Sequence, residues 1–141
     1  MKLIAPTSRP VAAALAACAF GLFSGLALAA ELKLSGANEV PAVTTSASGS
    51  GTITVADDGA VSGSVQTSGV AGTAAHIHVG AAGKNGPVIV PLTKGAEGAW
   101  SVPAGAKLTP EQLKSYKAGE LYVNVHSEAN KGGEIRAQLM P

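Results

Sequence analysis

The chain has 141 residues, of which 46% are hydrophobic and 13% charged, and its formal net charge is +1. This length is sufficient for one domain with a substantial core, but not comfortably for two. Lysine and arginine form no run along the chain, which argues against nucleic-acid binding and against electrostatic docking to a membrane.

The N-terminal segment differs in composition from the rest of the chain. Two basic residues precede an apolar stretch from 11 to 26, and Ala27–Ala29 has the small-x-small pattern of a cleavage site. We therefore predict a signal peptide at residues 1–29 and a mature domain at 30–141 that is periplasmic or secreted. The apolar stretch is too short to predict a permanent transmembrane helix.

A bacterial lipobox is the alternative interpretation of this segment. Leu15–Cys18 resembles such a motif, but the residues after Cys18 stay apolar as far as Ala29, whereas a lipoprotein becomes polar just after its cysteine. Cleavage after Ala29 removes the single cysteine, so the mature protein would have no disulfide. It also leaves eight lysine or arginine residues against nine acidic residues, a formal charge of −1.

The mature chain has the pattern of short strands joined by tight turns. Alternation of apolar and polar residues predicts strands at 31–36, 51–56, 60–67, 73–79, 87–92, 99–102, 120–126 and 133–140. Asp57–Gly59 is typical of a hairpin turn, and the spacing of Thr109, Pro110 and Gln112 predicts a capped helix that ends at Gly119. We expect an all-β fold, an antiparallel Greek-key β-sandwich or flattened barrel of about eight strands with one short helical connector.

A His-x-His pair lies in the strand predicted at 73–79. Because successive side chains of a strand point to opposite faces, His76 and His78 share one face, and the apolar residues around them share the other. Two neutral imidazoles on one face can bind one divalent ion, although two solvated polar residues would give the same pattern.

The third histidine, His126, falls on the polar face of the strand predicted at 120–126, a face that continues with Asn124 and, on the last strand, Glu134 and Arg136. If the strands that carry His78 and His126 are neighbours, three imidazoles converge. Three nitrogen ligands with an open position suit Cu(II) or Zn(II) better than Mg²⁺ or Ca²⁺. The alternative is three unrelated surface histidines.

Two charged residues have two interpretations each. Arg136 is either a surface cation paired with Glu134 or Glu128, or a cation beside an open metal position that attracts a small anion. Glu39 is either an acid in a loop or a hydrogen-bond partner of a metal-binding histidine.

Several motifs, in order along essentially the whole mature chain, resemble the CHRD domain first named in chordin. They are LSGANEVP from Leu34, AHIHVG from Ala75, NGPV from Asn85, LTPEQL from Leu108, AGELYVNVH from Ala118 and GEIR from Gly133. The resemblance implies a fold and a location outside the cytoplasm, but little chemistry.

A second resemblance, to the Cu,Zn superoxide dismutases, is carried by His76, His78, His126 and Arg136 in that order. In that family a Greek-key barrel holds copper on its outside with a His-x-His strand and a later histidine, and an arginine after a Gly-rich loop steers superoxide. The bridging histidine, the zinc-binding subloop and the disulfide have no counterpart in this sequence. The resemblance therefore implies copper without zinc.

Two classes of function remain open at this point. In the first, copper at His76, His78 and His126 supports superoxide dismutation, and Arg136 attracts the anion. In the second, the protein is not an enzyme: it buffers copper, or it is an interaction module in which the histidines are incidental.

Overall fold

The computed structural model describes residues 30–141, so the signal peptide predicted at 1–29 lies outside the described residues. The strands are β1 (Leu32–Ser35), β2 (Ser48–Val55), β3 (Val61–Ser68), β4 (Gly72–Val79), β5 (Val88–Pro91), β6 (Thr93–Lys94), β7 (Ala99–Ser101), β8 (Leu121–Ser127) and β9 (Ile135–Leu139). A 3₁₀ turn covers Gly36–Asn38, and the helix α1 covers Pro110–Lys117.

All these strands belong to one antiparallel sheet in the order β5-β4-β8-β9-β1-β2-β3-β7-β6. The two ends of the sheet are joined by one short segment, because β5 and β6 are separated only by Leu92. Ile77 of β4 pairs with Val90 of β5, and Lys94 of β6 pairs with Trp100 of β7. The sheet therefore curls into a nearly closed barrel, which confirms the predicted all-β class in its flattened-barrel form.

The core of the barrel is formed by one face of each strand. Leu121, Val123 and Val125 of β8 are each at most 1% exposed, and Ile77 and Ile135 are fully buried. Burial of each such side chain contributes about 1.5–3 kcal/mol relative to an exposed position. The predicted alternation is confirmed on these strands, and it directs their polar residues to the outside of the barrel.

The predicted turn and helix are also confirmed. Gly59 closes the β2–β3 turn with φ of 90°, and Ala60 N donates to Asp58 Oδ1 at 3.0 Å. At the start of α1, Gln112 N donates to Thr109 Oγ1 at 3.2 Å, and Thr109 N donates to Gln112 Oε1 at 2.9 Å.

Two features depart from the sequence-based expectation. β2 begins at Ser48, before the predicted start at 51, because Gly49 and Ser50 pair with β1 although neither residue type favours strands. The outer face of β8 and β9 is not solvated as expected: Asn124 is 2% exposed and Arg136 is 1% exposed. Loops cover this face, and their carbonyl groups accept hydrogen bonds from these two side chains.

Candidate metal centre

The three histidines lie together because β4 and β8 are paired. His126 is directly opposite Ala74, so it adjoins His76 on the same outer face, and His78 follows two residues later. The ring centroids of His76 and His126 are 4.8 Å apart, those of His76 and His78 are 5.6 Å apart, and those of His78 and His126 are 6.0 Å apart. The predicted convergence of the imidazoles is confirmed.

Two of the imidazoles are oriented by backbone carbonyl groups. The Nδ1 atom of His78 lies 2.9 Å from Gly86 O, and the Nδ1 atom of His126 lies 2.8 Å from Lys131 O. Because a carbonyl oxygen only accepts, Nδ1 must carry the proton in both rings, which leaves a lone pair on each Nε2. Such hydrogen bonds fix the ring orientation and tautomer of metal-binding histidines.

The nitrogens that remain available face one another. His76 Nδ1 is 3.0 Å from His126 Nε2, which carries no proton, so His76 donates a hydrogen bond to the lone pair of His126. His78 Nε2 is buried and has no hydrogen-bond partner in the part of the chain that the structure describes. One ligand nitrogen from each of the three histidines lies within 4.8 Å of the others.

These spacings fit a single transition-metal ion. A metal–imidazole bond of about 2.0–2.1 Å places neighbouring ligand nitrogens about 3–4 Å apart, so the pair at 3.0 Å is already at ligand spacing and a small movement of His78 completes the set. An ion would also replace the proton shared by His76 and His126 and give His78 Nε2 the partner that it lacks.

The electrostatic environment favours the neutral imidazole, which is the form that binds metals. Burial lowers the pKa of His76, and the nearby His126 and His78 lower it further. Burial also lowers the pKa of His78, although the hydrogen bond to Gly86 O acts in the opposite direction. His78 is 6% exposed, whereas His76 and His126 are half-buried, so the cluster is closed on one side and open on the other.

An aromatic ring supports the buried side of the cluster. Tyr122 of β8 stacks on His78 with ring centroids 4.6 Å apart and an interplanar angle of 4°. Its hydroxyl accepts a hydrogen bond from Gly86 N at 3.1 Å, and Gly86 O in turn orients His78. The Cζ atom of Arg136 lies 3.4 Å from the centroid of the Tyr122 ring, a cation–π contact.

Arg136 belongs to this buried stack. Because β8 lies between β4 and β9, the guanidinium approaches Tyr122 from the opposite side to His78. Its Nη2 atom donates to Ala81 O at 3.1 Å and to Gln138 Oε1 at 3.3 Å, and its Nη1 donates to Asn85 Oδ1 at 3.4 Å. The attraction of an anion by Arg136 stays a prediction.

The interpretation of Arg136 as a surface cation paired with Glu134 or Glu128 is wrong. Glu134 accepts a hydrogen bond from Thr45 Oγ1, and Glu128 lies 3.9 Å from the ammonium group of Lys131. Arg136 is 1% exposed, and among residues 30–141 neither glutamate forms an ion pair with it.

Glu39 does lie in a loop, directly after the 3₁₀ turn, but it is buried next to the site. Within residues 30–141 no histidine forms a hydrogen bond with it, so its interpretation as the partner of a histidine is wrong. Glu39 is 5% exposed, and burial raises its pKa, an effect that a hydrogen bond with Asn124 and the charge of Arg136 reduce. The prediction identified neither Tyr122 nor Asn124 as a functional residue. Their positions on the outer face of β8, in alternation with the core residues, were the available signal.

The fold and the cluster together define an all-β barrel domain with a three-histidine metal-type cluster on its outer surface. The family model described as the CHRD domain matches residues 30–139, so the chain belongs to the CHRD-domain family. No curated protein and no solved structure gave a match. In residues 30–141, no helix is long and apolar enough to cross a membrane.

Proposed function

We propose that this CHRD-domain protein binds one copper ion through His76, His78 and His126. The observation that carries the proposal is the cluster of three ligand nitrogens within 4.8 Å of one another. Among the divalent first-row metals, copper binds most tightly to a given nitrogen site, and three imidazoles with an open position suit it. Copper is therefore the ion that we assign to the site.

Titration with Cu(II), followed by electron paramagnetic resonance, tests the proposal. The protein should carry Cys18→Ser, so that the thiol cannot compete for copper. We expect one tightly bound Cu(II) per chain with a nitrogen-rich signal, and we expect His76→Ala and His126→Ala to abolish it.

Thr73→Ala is the matched control, because Thr73 is exposed and lies beside His126 without contributing an imidazole. It should leave the copper signal unchanged. A protein without stoichiometric copper, or copper binding that survives both histidine variants, would favour a CHRD interaction module in which the histidines are incidental.

The open side of the cluster favours a second candidate function, copper-dependent superoxide dismutation. His76 and His126 are half-exposed, so a small anion can reach an ion held between them. One superoxide would be oxidised to dioxygen, and the next would be reduced, with two protons, to hydrogen peroxide. Copper supplies the one-electron redox couple, while the protein holds the ion and leaves one side accessible.

The rate of superoxide loss distinguishes an enzyme from a copper-buffering protein. A dismutase should exceed both free copper and the His126→Ala variant, and Arg136→Gln should lower its rate and the salt dependence of that rate. Copper that is tightly retained without such a rate would identify a buffering protein.

The proposed site of action is outside the cytoplasm, on the basis of the N-terminal sequence pattern. The N-terminus of the protein isolated from the periplasm or the medium tests this. A start at Ala30 supports signal-peptide cleavage, a lipidated Cys18 supports the lipobox alternative, and an intact Met1 in the cytoplasm contradicts both.

A further inference from the structure

Asn124 lies in the middle of the histidine cluster. On the outer face it is directly opposite His76 on β4, and it precedes His126 by two residues on β8. His78 is the diagonal neighbour of Asn124, because it pairs with Tyr122 in the next row. All three imidazoles therefore surround the position from which the Asn124 side chain projects.

The surroundings of the Asn124 carboxamide decide which of its two ends faces the imidazoles. Its Nδ2 atom donates to Gly132 O at 3.4 Å, and the Glu39 carboxylate lies on the same side, because a Cβ atom at Gly133 would touch both Asn124 Nδ2 and Glu39 Oε1. An amide nitrogen only donates, while a carbonyl and a carboxylate only accept, so this end of the amide must be the nitrogen. The oxygen, Oδ1, is thereby turned away from Glu39 and Gly132.

Asn124 Oδ1 is a buried acceptor without a partner. Asn124 is 2% exposed, and neither its Oδ1 atom nor His78 Nε2 makes a hydrogen bond with any residue of 30–141. An unsatisfied buried polar group costs about 1–3 kcal/mol, and native proteins compensate such groups with a partner, which can be an ion. Asn124 also raises the pKa of His78, so the two side chains are near one another.

We propose that Asn124 Oδ1 is a fourth ligand of the metal ion, an oxygen donor in addition to the three imidazole nitrogens. This inference rests on the copper site proposed above. Glu39 acts as a positioning residue: its carboxylate holds the amide nitrogen and so directs the oxygen to the ion. A carboxamide oxygen is a known weak axial ligand in copper sites.

The oxygen ligand has a consequence for the oxidation state of copper. Oxygen donors suit Cu(II), whereas Cu(I) is soft and gains little from them. Loss of the oxygen should therefore weaken Cu(II) binding about tenfold, the lower end of the range for supporting groups of metal sites, and leave Cu(I) binding nearly unchanged. A tenfold increase in the ratio of the Cu(II) dissociation constant to the Cu(I) dissociation constant raises the reduction potential by about 59 mV.

The first experiment compares the wild-type protein with Asn124→Leu, which removes the oxygen at similar volume. Cu(II) and Cu(I) affinities, the reduction potential and the copper hyperfine splitting are measured for both. Gln66→Leu is the matched control, because Gln66 is an exposed amide on β3, away from the strands that carry the histidines, and its nitrogen donates to Glu97 O at 2.9 Å. It should leave all four quantities unchanged.

The positioning role of Glu39 is tested by a pair of variants. Glu39→Gln keeps an acceptor for the Asn124 nitrogen and should retain the wild-type copper spectrum. Glu39→Leu removes that acceptor and should change the spectrum in the same direction as Asn124→Leu. A merely structural role of Glu39 would change stability in both variants without a specific change in the spectrum.

A measurement on the unmodified protein covers the case in which Asn124→Leu does not fold. If the amide oxygen binds Cu(II), the amide nitrogen is a remote nucleus of the complex, and labelling asparagine with ¹⁵N should alter the electron spin echo modulation. Normal copper binding without this change, or Asn124→Leu with wild-type affinities, would overturn the oxygen ligand and leave the three-histidine site standing. A wild-type protein that binds no copper would overturn both.

Discussion

Gly133 shows how tightly a single residue is constrained beside the proposed metal centre. Its φ is 125°, and a Cβ atom at this position would collide with Glu39 Oε1 and Asn124 Nδ2. We expect Gly133→Ala to lower the free energy of unfolding by about 1–3 kcal/mol from backbone strain, with a further loss from the displaced side chains. Because it displaces the Asn124 amide, it should also weaken copper binding.

Gly132→Ala is the control for this prediction. A Cβ atom there would meet nothing within 4 Å, and Gly132 has no positive φ in the range that favours glycine. Denaturant unfolding should therefore give Gly132→Ala a free energy of unfolding within about 0.5 kcal/mol of the wild-type value. Equal losses in the two variants would show that the loop, and not the contact with Glu39 and Asn124, sets the cost.

The histidine pKa values predict how the stability of the metal-free protein depends on pH. Burial holds the pKa of both His76 and His78 below 6.5, so the unfolded chain takes up protons at a higher pH than the folded protein does. The free energy of unfolding should therefore decrease as the pH falls through about 6.5, and His76→Gln should reduce this dependence.

Glu39 contributes to the pH dependence with the opposite sign. Burial raises its pKa above 4.5, so its contribution is present at low pH and is lost as the pH rises through the folded-state pKa. Glu39→Gln should therefore steepen the loss of stability on acidification. Denaturant unfolding of the metal-free protein between about pH 5 and 8 measures both effects. If the free energy of unfolding of His76→Gln depends on pH as steeply as that of the wild type, the lowered pKa of His76 does not cause the dependence.

At the residue scale, the sequence predicts the members of the histidine cluster better than the residues that support it. His76, His78 and His126 stand out because histidine is rare in this chain and because alternation assigns each of them to a face. The roles of Tyr122 and Asn124 depend on which rows of β4 and β8 are opposite each other, and periodicity within one strand contains no such information. Burial of Arg136 depends on loops that no local pattern places.

At the scale of elements, the helix α1 depends on its cap more than on its packing. None of its residues is fully buried, although Leu113 and Tyr116 contact the core. We expect Thr109→Ala to lower the free energy of unfolding by about 1 kcal/mol, because the first turn loses the acceptor for Gln112 N. Thr109→Ser keeps the hydroxyl and should restore most of the stability, which denaturant unfolding can measure. A loss of the same size in Thr109→Ser would contradict the capping argument.

Local sequence signals predict an element of this chain well where a side chain forms hydrogen bonds with backbone groups a few residues away. The capping box and the Asp57–Gly59 turn are examples, since each is a short-range arrangement of hydrogen bonds. β6 has two residues and no pattern of its own, and it exists only because β7 provides a partner. The early start of β2 likewise depends on β1, which is distant in sequence.

At the scale of the whole molecule, alternation predicts the all-β class, but not the order of the strands. The barrel nearly closes because the segment at 88–94 pairs with β4 on one side and with β7 on the other. Leu92 between the two pairings donates its N–H to Ala75 O at 2.9 Å. Such long-range pairings also bring the strands of His78 and His126 together. The histidine cluster therefore cannot be predicted without the order of the strands.

The proposed copper ion should stabilise the whole domain, because its ligands come from two strands that are far apart in sequence. In the folded protein β4 and β8 hold the three imidazoles together, whereas the unfolded chain separates them by about 50 residues. An ion that binds only the folded state adds about 2.7 kcal/mol when its free concentration is 100 times the Kd. For a domain of this size we expect Tm to rise by about 10 °C.

Thermal unfolding with and without Cu(II), in the Cys18→Ser background, measures this stabilisation. The increase in Tm should grow with the copper concentration, since binding and folding are linked. It should be absent in His76→Ala, which leaves the fold intact but removes one ligand, and it should persist in Thr73→Ala. A rise of the same size in His76→Ala would mean that copper binds elsewhere on the protein, and a copper-independent Tm in the wild type would contradict the metal centre itself.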